Sequence, residues 1–225
     1  MGIRYDRTSP EEADVGIDSS LGELYLNFFN KKSCENFEEL SEFFELTNRH
    51  IYIKEIELDT GAEVEFLIRF FNRVDLELET PIEKRVPIKI FIDSVGGALD
   101  STLTICDAIK SSITPVWTIN QGKAHSGGAV IFCCGKKRFA YPHSSILFHE
   151  GYISTQGDAH KFENGADFYK IQRKMMKDII LSNTDITLEE YETHKKDDWW
   201  FTADEALNYG ILDEIISKEN FLLDG

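Results

Sequence analysis

The sequence predicts an α/β protein with a mostly parallel sheet, and three observations carry this prediction. Short, nearly continuous apolar runs, which are typical of strands buried on both faces, alternate with stretches of helical periodicity. These runs are 51–53, 88–92 and 116–120. The chain has 225 residues, of which 42% are hydrophobic, enough to bury one sizeable core. The strand-helix-strand order favours a sheet covered by helices on both faces.

The first 48 residues are expected to form an N-terminal extension. Residues 1–20 carry few apolar groups, so this part is predicted to be partly disordered. Residues 21–29 predict a strand, and residues 33–46 have the spacing of an acidic amphipathic helix. One domain is predicted over residues 49–225.

The first helix of this domain is predicted to begin at a capping box, Thr60-x-x-Glu63, and to end before Pro81. Its apolar residues recur at helical spacing: Val64, Leu67, Ile68 and Phe71. The strand over 88–92 leads into Asp93-Ser94-Val95-Gly96-Gly97, and a second helix is expected to carry Leu99, Leu103 and Cys106. The next strand, 116–120, leads to a helix over 129–134.

The second half of the domain has a different rhythm. Two short strands, 138–141 and 145–149, precede a long helix over about 160–182 that is apolar on more than one face. Such a helix either is sandwiched within its own domain or contacts another subunit. Capping boxes at Thr187-x-x-Glu190 and Thr202-x-x-Glu205 predict two further helices, the second ending at Gly210. A last strand is expected over 211–216.

Composition excludes several classes of function. The net charge of −16 disfavours nucleic acid and anionic membranes as partners, because like charges repel. No apolar run approaches the roughly 20 residues of a membrane span, and the N-terminus has no signal-peptide pattern, so a cytoplasmic protein is expected. The four cysteines lack a C-x-x-C spacing, which argues against a metal site or a disulfide framework. They are interpreted as core residues.

The most informative segment is Gly122–Ala129, which places Ser126 between small residues where a strand gives way to a helix. A serine on such a turn is presented as a nucleophile, and the free N–H groups of the helix start favour a developing negative charge. The same pattern equally fits a serine N-cap beside glycines that allow close packing. The segment alone leaves both interpretations open.

A serine nucleophile needs a histidine base and an acid that orients the base. His149 ends an apolar strand, where parallel sheets gather their sites, whereas His125 is interpreted as a packing or rim residue. The candidate acids are Asp197 and Asp198, which equally fit a solvated turn. The N–H groups of the Gly96-Gly97 pair and of Gly127 could form an oxyanion hole, although a glycine pair at a strand-to-helix turn is also common without catalysis.

Together these segments resemble the ClpP-type serine peptidases, the proteolytic subunits of Clp proteases, over roughly residues 50–217. Residues 93–97 resemble the family's Asn-Ser-Pro-Gly-Gly turn, and residues 122–128 resemble its Gly-x-Ala-Ala-Ser-Met-Gly nucleophile turn. Ile146-Leu147-Phe148-His149 is similar to its strand ending in the catalytic histidine. The similarity continues through 156–159, at the start of the family's handle helix, and through 201–206 and 209–213. In this register Asp198 matches the catalytic acid, with Asp197 as the fallback.

The resemblance implies a crotonase-like fold of stacked β-α turns with a protruding handle helix over about 152–183. It implies a serine endopeptidase that cleaves unfolded polypeptides with Ser126, His149 and Asp198, and that needs no cofactor or metal. Gly97 and Gly127 would form the oxyanion hole, and Gly96, Ala98 and Leu99 would bind substrate. Handle helices would join face-to-face rings, heptameric in this family, which receive chains from an ATP-dependent Clp unfoldase.

Several residues depart from the family pattern. Val95 replaces the proline, His125 and Gly127 flank the serine, and Glu150-Gly151 follows His149 where the family has Gln-Pro. Residues 1–49 do not resemble the family's unfoldase-docking arm. A weakly active or inactive ring subunit therefore remains an alternative, as does a crotonase-fold acyl-CoA enzyme. A serine–lysine peptidase is disfavoured because Lys123 is too close in sequence to Ser126 to reach it.

Overall fold

The computed structural model describes residues 44–151 and 159–221. The predicted strand over 21–29 and the disorder of 1–20 lie outside these residues, as does most of the helix over 33–46. The described end of that helix, residues 44–47, is helical.

The elements alternate between strands and helices for most of the chain. The strands are β1 (His50–Ile53), β2 (Ile88–Ser94), β3 (Val116–His125), β4 (Lys137–Ala140), β5 (Ser145–Phe148), β6 (Trp199–Thr202) and β7 (Glu214–Ile215). The helices are α1 (Thr60–Glu77), α2 (Leu99–Ser111), α3 (Gly127–Cys133), α4 (Ala159–Asn183), α5 (Leu188–His194) and α6 (Ala203–Asn208), with a 3₁₀ turn at Ile82–Lys84.

The strands form one sheet in the order β1-β2-β3-β4-β7, and β5 pairs with β3 and with β6. Every pairing is parallel except β5 with β6, so the predicted α/β class with a mostly parallel sheet is confirmed. Strand β3 changes partner along its length, from β4 over Trp117–Asn120 to β5 over Lys123–His125. This change carries the end of β3 beyond the core to the edge where β5 and β6 pair.

The core is rich in isoleucine because both faces of the central strands are covered. Five consecutive residues of β2, from Ile88 to Ile92, are buried, a pattern that suits a parallel strand between two helical layers. Cys106, Cys133 and Cys134 are buried free thiols, as expected of core residues. A smaller cluster on the sheet consists of Phe91, Trp117, Ile119, Phe139 and Ile216.

Two predicted capping boxes are confirmed and one is wrong. Thr187 and Thr202 each cap a helix and exchange hydrogen bonds with the glutamate three residues later. Thr60 instead is the first helical residue, and its hydroxyl accepts a hydrogen bond from the Glu57 N–H at 3.0 Å. The hydroxyl closes the preceding turn, so it cannot serve the helix N–H groups. The last strand is also shorter than predicted, covering Glu214–Ile215 alone.

Helix α4 is only partly covered by the core. Its C-terminal half packs on the core through Met176, Ile179 and Ile180. Along the helix, four large apolar side chains are about half exposed: Phe162, Phe168, Ile171 and Met175. Within residues 44–151 and 159–221, no helix is both long enough and apolar enough to cross a membrane.

Candidate active site

Ser126 occupies the single residue between β3 and α3, with φ 54° and ψ −122°. Its N–H donates to the Leu147 carbonyl at 2.9 Å, which fixes it beside β5, and its carbonyl accepts from the N–H groups of Ala129 and Val130. The hydroxyl makes no capping hydrogen bond to the helix. The N-cap interpretation of this hydroxyl is therefore wrong. Positive φ in a residue with a Cβ costs about 1–3 kcal/mol and clusters at functional sites.

Glycines surround this turn because there is no room for side chains. A Cβ on Gly96 would lie 2.7 Å from the Ser126 Cβ and 2.9 Å from the His125 carbonyl oxygen. Gly96 also has φ +100°, a backbone angle that residues with a side chain rarely adopt. The Gly96-Gly97 turn is thus packed directly against the serine turn, as the oxyanion-hole hypothesis requires.

A cavity of about 420 Å³ brings most of the predicted site residues together. It is lined by Ser126, His149, Gly96, Gly97, Gly127 and Leu99, among others. Ala98, a predicted substrate-binding residue, is not among the lining residues. Its N–H donates to the Ile56 carbonyl at 2.6 Å, and its carbonyl accepts from the Thr102 N–H at the start of α2.

The antiparallel pairing of β5 and β6 places His149 opposite Asp198. Phe148 pairs with Trp199, so the next residue pair along the two chains is His149 with Asp198. The His149 Nδ1 lies 3.7 Å from the Asp198 Oδ1, with the side chains 28% and 63% exposed. Asp197 lies one position further, and its N–H donates to the His194 carbonyl. Because side chains alternate along an extended chain, the register favours Asp198 over Asp197 as the partner of His149.

Ser126 and His149 line the same cavity and Asp198 lies beside His149, but these side chains are not hydrogen-bonded to one another. The 3.7 Å separation exceeds hydrogen-bond length, and among the described residues the Ser126 hydroxyl has no hydrogen-bond partner. Catalytic hydrogen bonds commonly tighten only when substrate is bound. The arrangement has the groups needed for a serine-histidine-aspartate relay.

The other polar residues near Ser126 have separate roles. The His125 Nε2 lies 2.9 Å from the Ser145 hydroxyl, and its ring meets the edge of Trp200, so His125 is a packing residue. Burial, and secondarily the charge of Lys123, lowers the pKa of His125. The Lys123 ammonium pairs with the Asp93 carboxylate at 3.1 Å and does not line the cavity. Its position offers no lysine base to Ser126.

Sequence reasoning missed a polar cluster next to His149, formed by Glu150, Tyr169 and Arg173. The Glu150 carboxylate pairs with the Arg173 guanidinium of α4, and the Tyr169 hydroxyl donates to the Glu150 carbonyl at 2.7 Å. All three residues line the cavity. The sequence showed that a carboxylate follows His149. It held no signal for the partner, because α4 carries many charged residues and only the fold selects one of them.

The fold and the site define a class of protein: an α/β protein with a serine and a histidine on one cavity and an aspartate beside the histidine, the residue types that serine hydrolases use. The chain belongs to the Clp protease family, whose model matches residues 72–219. It is 34% identical over 177 residues to the ATP-dependent Clp protease proteolytic subunit 1 of Protochlamydia amoebophila, covering 77% of this chain and 82% of that protein. Subunit 1 of Chlamydia abortus is 36% identical, with 65% of this chain and 77% of that protein covered. Subunit 2 of Thermobifida fusca is 32% identical, with 65% and 74% covered.

Proposed function

We propose that this protein is a serine endopeptidase that hydrolyses peptide bonds with Ser126 as nucleophile, His149 as base and Asp198 as acid. Membership of the Clp protease family supports the peptidase class. The observation that carries the residue assignment is the β5–β6 register, which sets His149 opposite Asp198 beside a serine hydroxyl that caps no helix.

In the proposed reaction, His149 takes the Ser126 proton as the serine oxygen attacks the peptide carbonyl. The carbonyl oxygen becomes an oxyanion, which the N–H groups of Gly97 and Gly127 stabilise. His149 then donates its proton to the departing amine, leaving an acyl-enzyme. A water molecule, deprotonated by His149, attacks the acyl carbon. His149 then returns this proton to the Ser126 oxygen as the acyl bond breaks and the carboxylate product leaves. Asp198 orients the imidazole and stabilises its charged form throughout.

The cavity suits an apolar side chain of an extended peptide. Apolar groups from α2, α3, β5 and α4 line it, including Leu99, Val130, Phe148, Met176 and Ile180. A side chain of this kind becomes available when a substrate protein is unfolded, because folded proteins bury most such residues. Unfolded polypeptides are therefore the substrate class that we propose.

The oligomeric state and the partner protein are further parts of the proposal. We assign stacked, heptameric rings to this chain, with the exposed apolar face of α4 at the contact between rings. The relatives are named as proteolytic subunits of ATP-dependent proteases. A separate Clp ATPase would accordingly supply unfolded chains, and the peptidase itself would need no nucleotide or metal.

A fluorophosphonate probe tests the proposal because it phosphonylates activated serines. The wild type should be labelled at Ser126, as located by mass spectrometry of the digested adduct, and Ser126→Ala should not be labelled. Ser182→Ala is the matched control, since this hydroxyl donates to the Ile179 carbonyl and accepts from the Asn183 side-chain amide, both at the end of α4. Equal labelling of wild type and Ser126→Ala would contradict the proposal. Assembled but unlabelled wild type would indicate an inactive ring subunit, and acyl-CoA hydrolysis that survives Ser126→Ala would indicate a crotonase-type enzyme.

A further inference from the structure

Helix α4 holds the residue that follows His149 by two separate bonds. The Arg173 guanidinium pairs with the Glu150 carboxylate, and the Tyr169 hydroxyl donates to the Glu150 backbone carbonyl at 2.7 Å. Tyr169 and Arg173 are four residues apart, so they project from one face of the helix. One bond fixes the side chain of Glu150, and the other fixes its peptide group.

The two bonds are partly shielded from water, and Arg173 and Tyr169 also contact each other. The side chains of Arg173 and Glu150 are 34% and 23% exposed, so water screens this pair less than a fully exposed one. The guanidinium carbon lies 5.9 Å from the centre of the Tyr169 ring, within cation–π range. Arg173 is thereby restrained by the same tyrosine that binds the Glu150 carbonyl.

The bonds at Glu150 restrain the backbone directly after His149. Strand β5 ends at Phe148, and Gly151, with φ +66°, follows Glu150. The sheet therefore restrains His149 on its N-terminal side, whereas on its C-terminal side Glu150, which is bonded to α4, precedes a glycine. The asymmetry matters because catalysis depends strongly on the geometry of the base, and a displacement of 1 Å can reduce the rate by about 10²-fold.

We propose that Arg173 and Tyr169 are positioning residues for the base, which fix the backbone at Glu150 and thereby the orientation of the His149 imidazole. This inference rests on the proposed peptidase function. Neither residue is assigned a bond to substrate or to Ser126. Their contribution should therefore show in the chemical step rather than in substrate affinity.

The test measures kcat and KM for a fluorogenic peptide with an apolar residue before the scissile bond. Arg173→Met and Tyr169→Phe should each lower kcat about tenfold and change KM less than twofold. Arg173→Lys, which keeps the charge, should recover part of the lost kcat. Lys170→Met is the matched control: it removes a cation from the same turn of α4, but this ammonium pairs with Asp167. Its kcat should equal that of the wild type.

A double-mutant cycle separates the pair from unrelated effects. Glu150→Gln combined with Arg173→Met should lose no more kcat than either single change, because both remove the same bond. Additive losses, or a kcat within twofold of wild type in both Arg173→Met and Tyr169→Phe, would overturn the inference. If Arg173→Met fails to fold, Tyr169→Phe decides. A wild type that is not labelled at Ser126 would sink the proposed function itself, whereas a labelled wild type with unaffected variants would sink only this inference.

Discussion

Ser126 is the residue where backbone strain and chemistry coincide. Its positive φ is enforced from both sides, by the hydrogen bond of its N–H to Leu147 in β5 and by the start of α3 at its carbonyl. The hydroxyl takes part in neither set of bonds, and Ser126 lines the cavity. The strain is thus maintained by the sheet and the helix, and neither of them uses the Ser126 hydroxyl.

The close packing of the two glycine turns gives a prediction about Gly96→Ala. The new Cβ would lie 2.7 Å from the Ser126 Cβ at a φ of +100°, and both effects oppose folding. We expect a loss of about 2–4 kcal/mol in the free energy of unfolding, from strain and overpacking combined, together with at least tenfold slower fluorophosphonate labelling. Urea unfolding of wild type and variant measures the first quantity, and the rate of probe incorporation measures the second.

Gly122→Ala is the control for this substitution. The nearest atom to its new Cβ is a carboxylate oxygen of Asp93 at 3.1 Å, on a side chain that can move. Its stability should lie within about 1 kcal/mol of wild type. Equal destabilisation by both alanines would show that the Gly96 contact with Ser126 is unimportant.

The β5–β6 register predicts that the two adjacent aspartates differ in function. Asp198→Asn keeps the shape of the side chain but removes the charge that stabilises a protonated His149, so kcat should fall by about 10²–10⁴-fold. Asp197→Asn makes the same chemical change one residue away and should stay within threefold of wild type. Steady-state peptide hydrolysis measures both. A larger loss in Asp197→Asn would mean that the register at this edge differs from the structure.

At the scale of elements, a buried ion pair joins the start of β1 to the end of α1. Arg49 and Asp75 are 5% and 1% exposed, their side chains are joined by two hydrogen bonds of 2.7 and 2.8 Å, and the Thr114 hydroxyl donates to the same carboxylate. The pair fixes the position of the start of β1 relative to the end of α1.

Removing one partner of this pair should be costly. Asp75→Ala removes the carboxylate that accepts two hydrogen bonds from the buried Arg49 guanidinium and one from the Thr114 hydroxyl, and we expect a loss of about 3–5 kcal/mol in the free energy of unfolding. Glu77→Ala, two residues on, breaks the partly exposed pair of Arg73 with Glu77, whose side chains are 60% and 19% exposed, and should cost less than about 1 kcal/mol. Chemical denaturation compares the two variants. Similar losses would show that burial does not set the cost, and Arg49→Met with Asp75→Leu should recover much of the stability.

The order and type of the elements could be predicted from sequence because hydrophobic periodicity is a local signal. The hydrophobic patterns that predict strand β2 and helix α4 lie within the residues of these elements. Local signals failed where tertiary partners decide. Strand β3 extends through Gly122–His125, a polar and glycine-containing stretch, because β5 pairs with it there. Thr60 likewise matches a capping box in sequence but bonds to the preceding turn.

The candidate site divides in the same way. Ser126, His149 and the glycine turns could be predicted because each lies at a strand end, where parallel sheets gather functional groups. The choice between Asp197 and Asp198 could not be made from the residues alone, since both fit a polar turn and only the pairing with β5 separates them. Arg173 and Tyr169 were missed for a related reason. Their partner Glu150 is 23 and 19 residues away, and no local pattern joins them.

At the scale of the whole molecule, the net charge and the exposed apolar surface have opposite effects on association between copies of the chain. A net charge of −16 keeps copies of the chain apart, yet α4 exposes Phe168, Ile171 and Met175 at spacings of three and four residues on one face. Large contiguous apolar patches on soluble proteins usually mark interfaces. Association would have to bury this face strongly enough to offset the charge repulsion, and should therefore strengthen as salt screens the charges.

The last prediction tests this face directly. In Phe168→Glu with Ile171→Glu, each copy places two carboxylates where the proposed ring contact buries apolar side chains, so the native mass should fall by at least half. Sedimentation velocity in low and high salt measures it, and in the wild type the fraction assembled should rise with salt. Leu207→Glu, at a similarly exposed apolar residue on α6, should leave the native mass unchanged. A wild type that sediments as a monomer at all salt concentrations, or a double variant that keeps the full mass, would exclude α4 as the assembly surface.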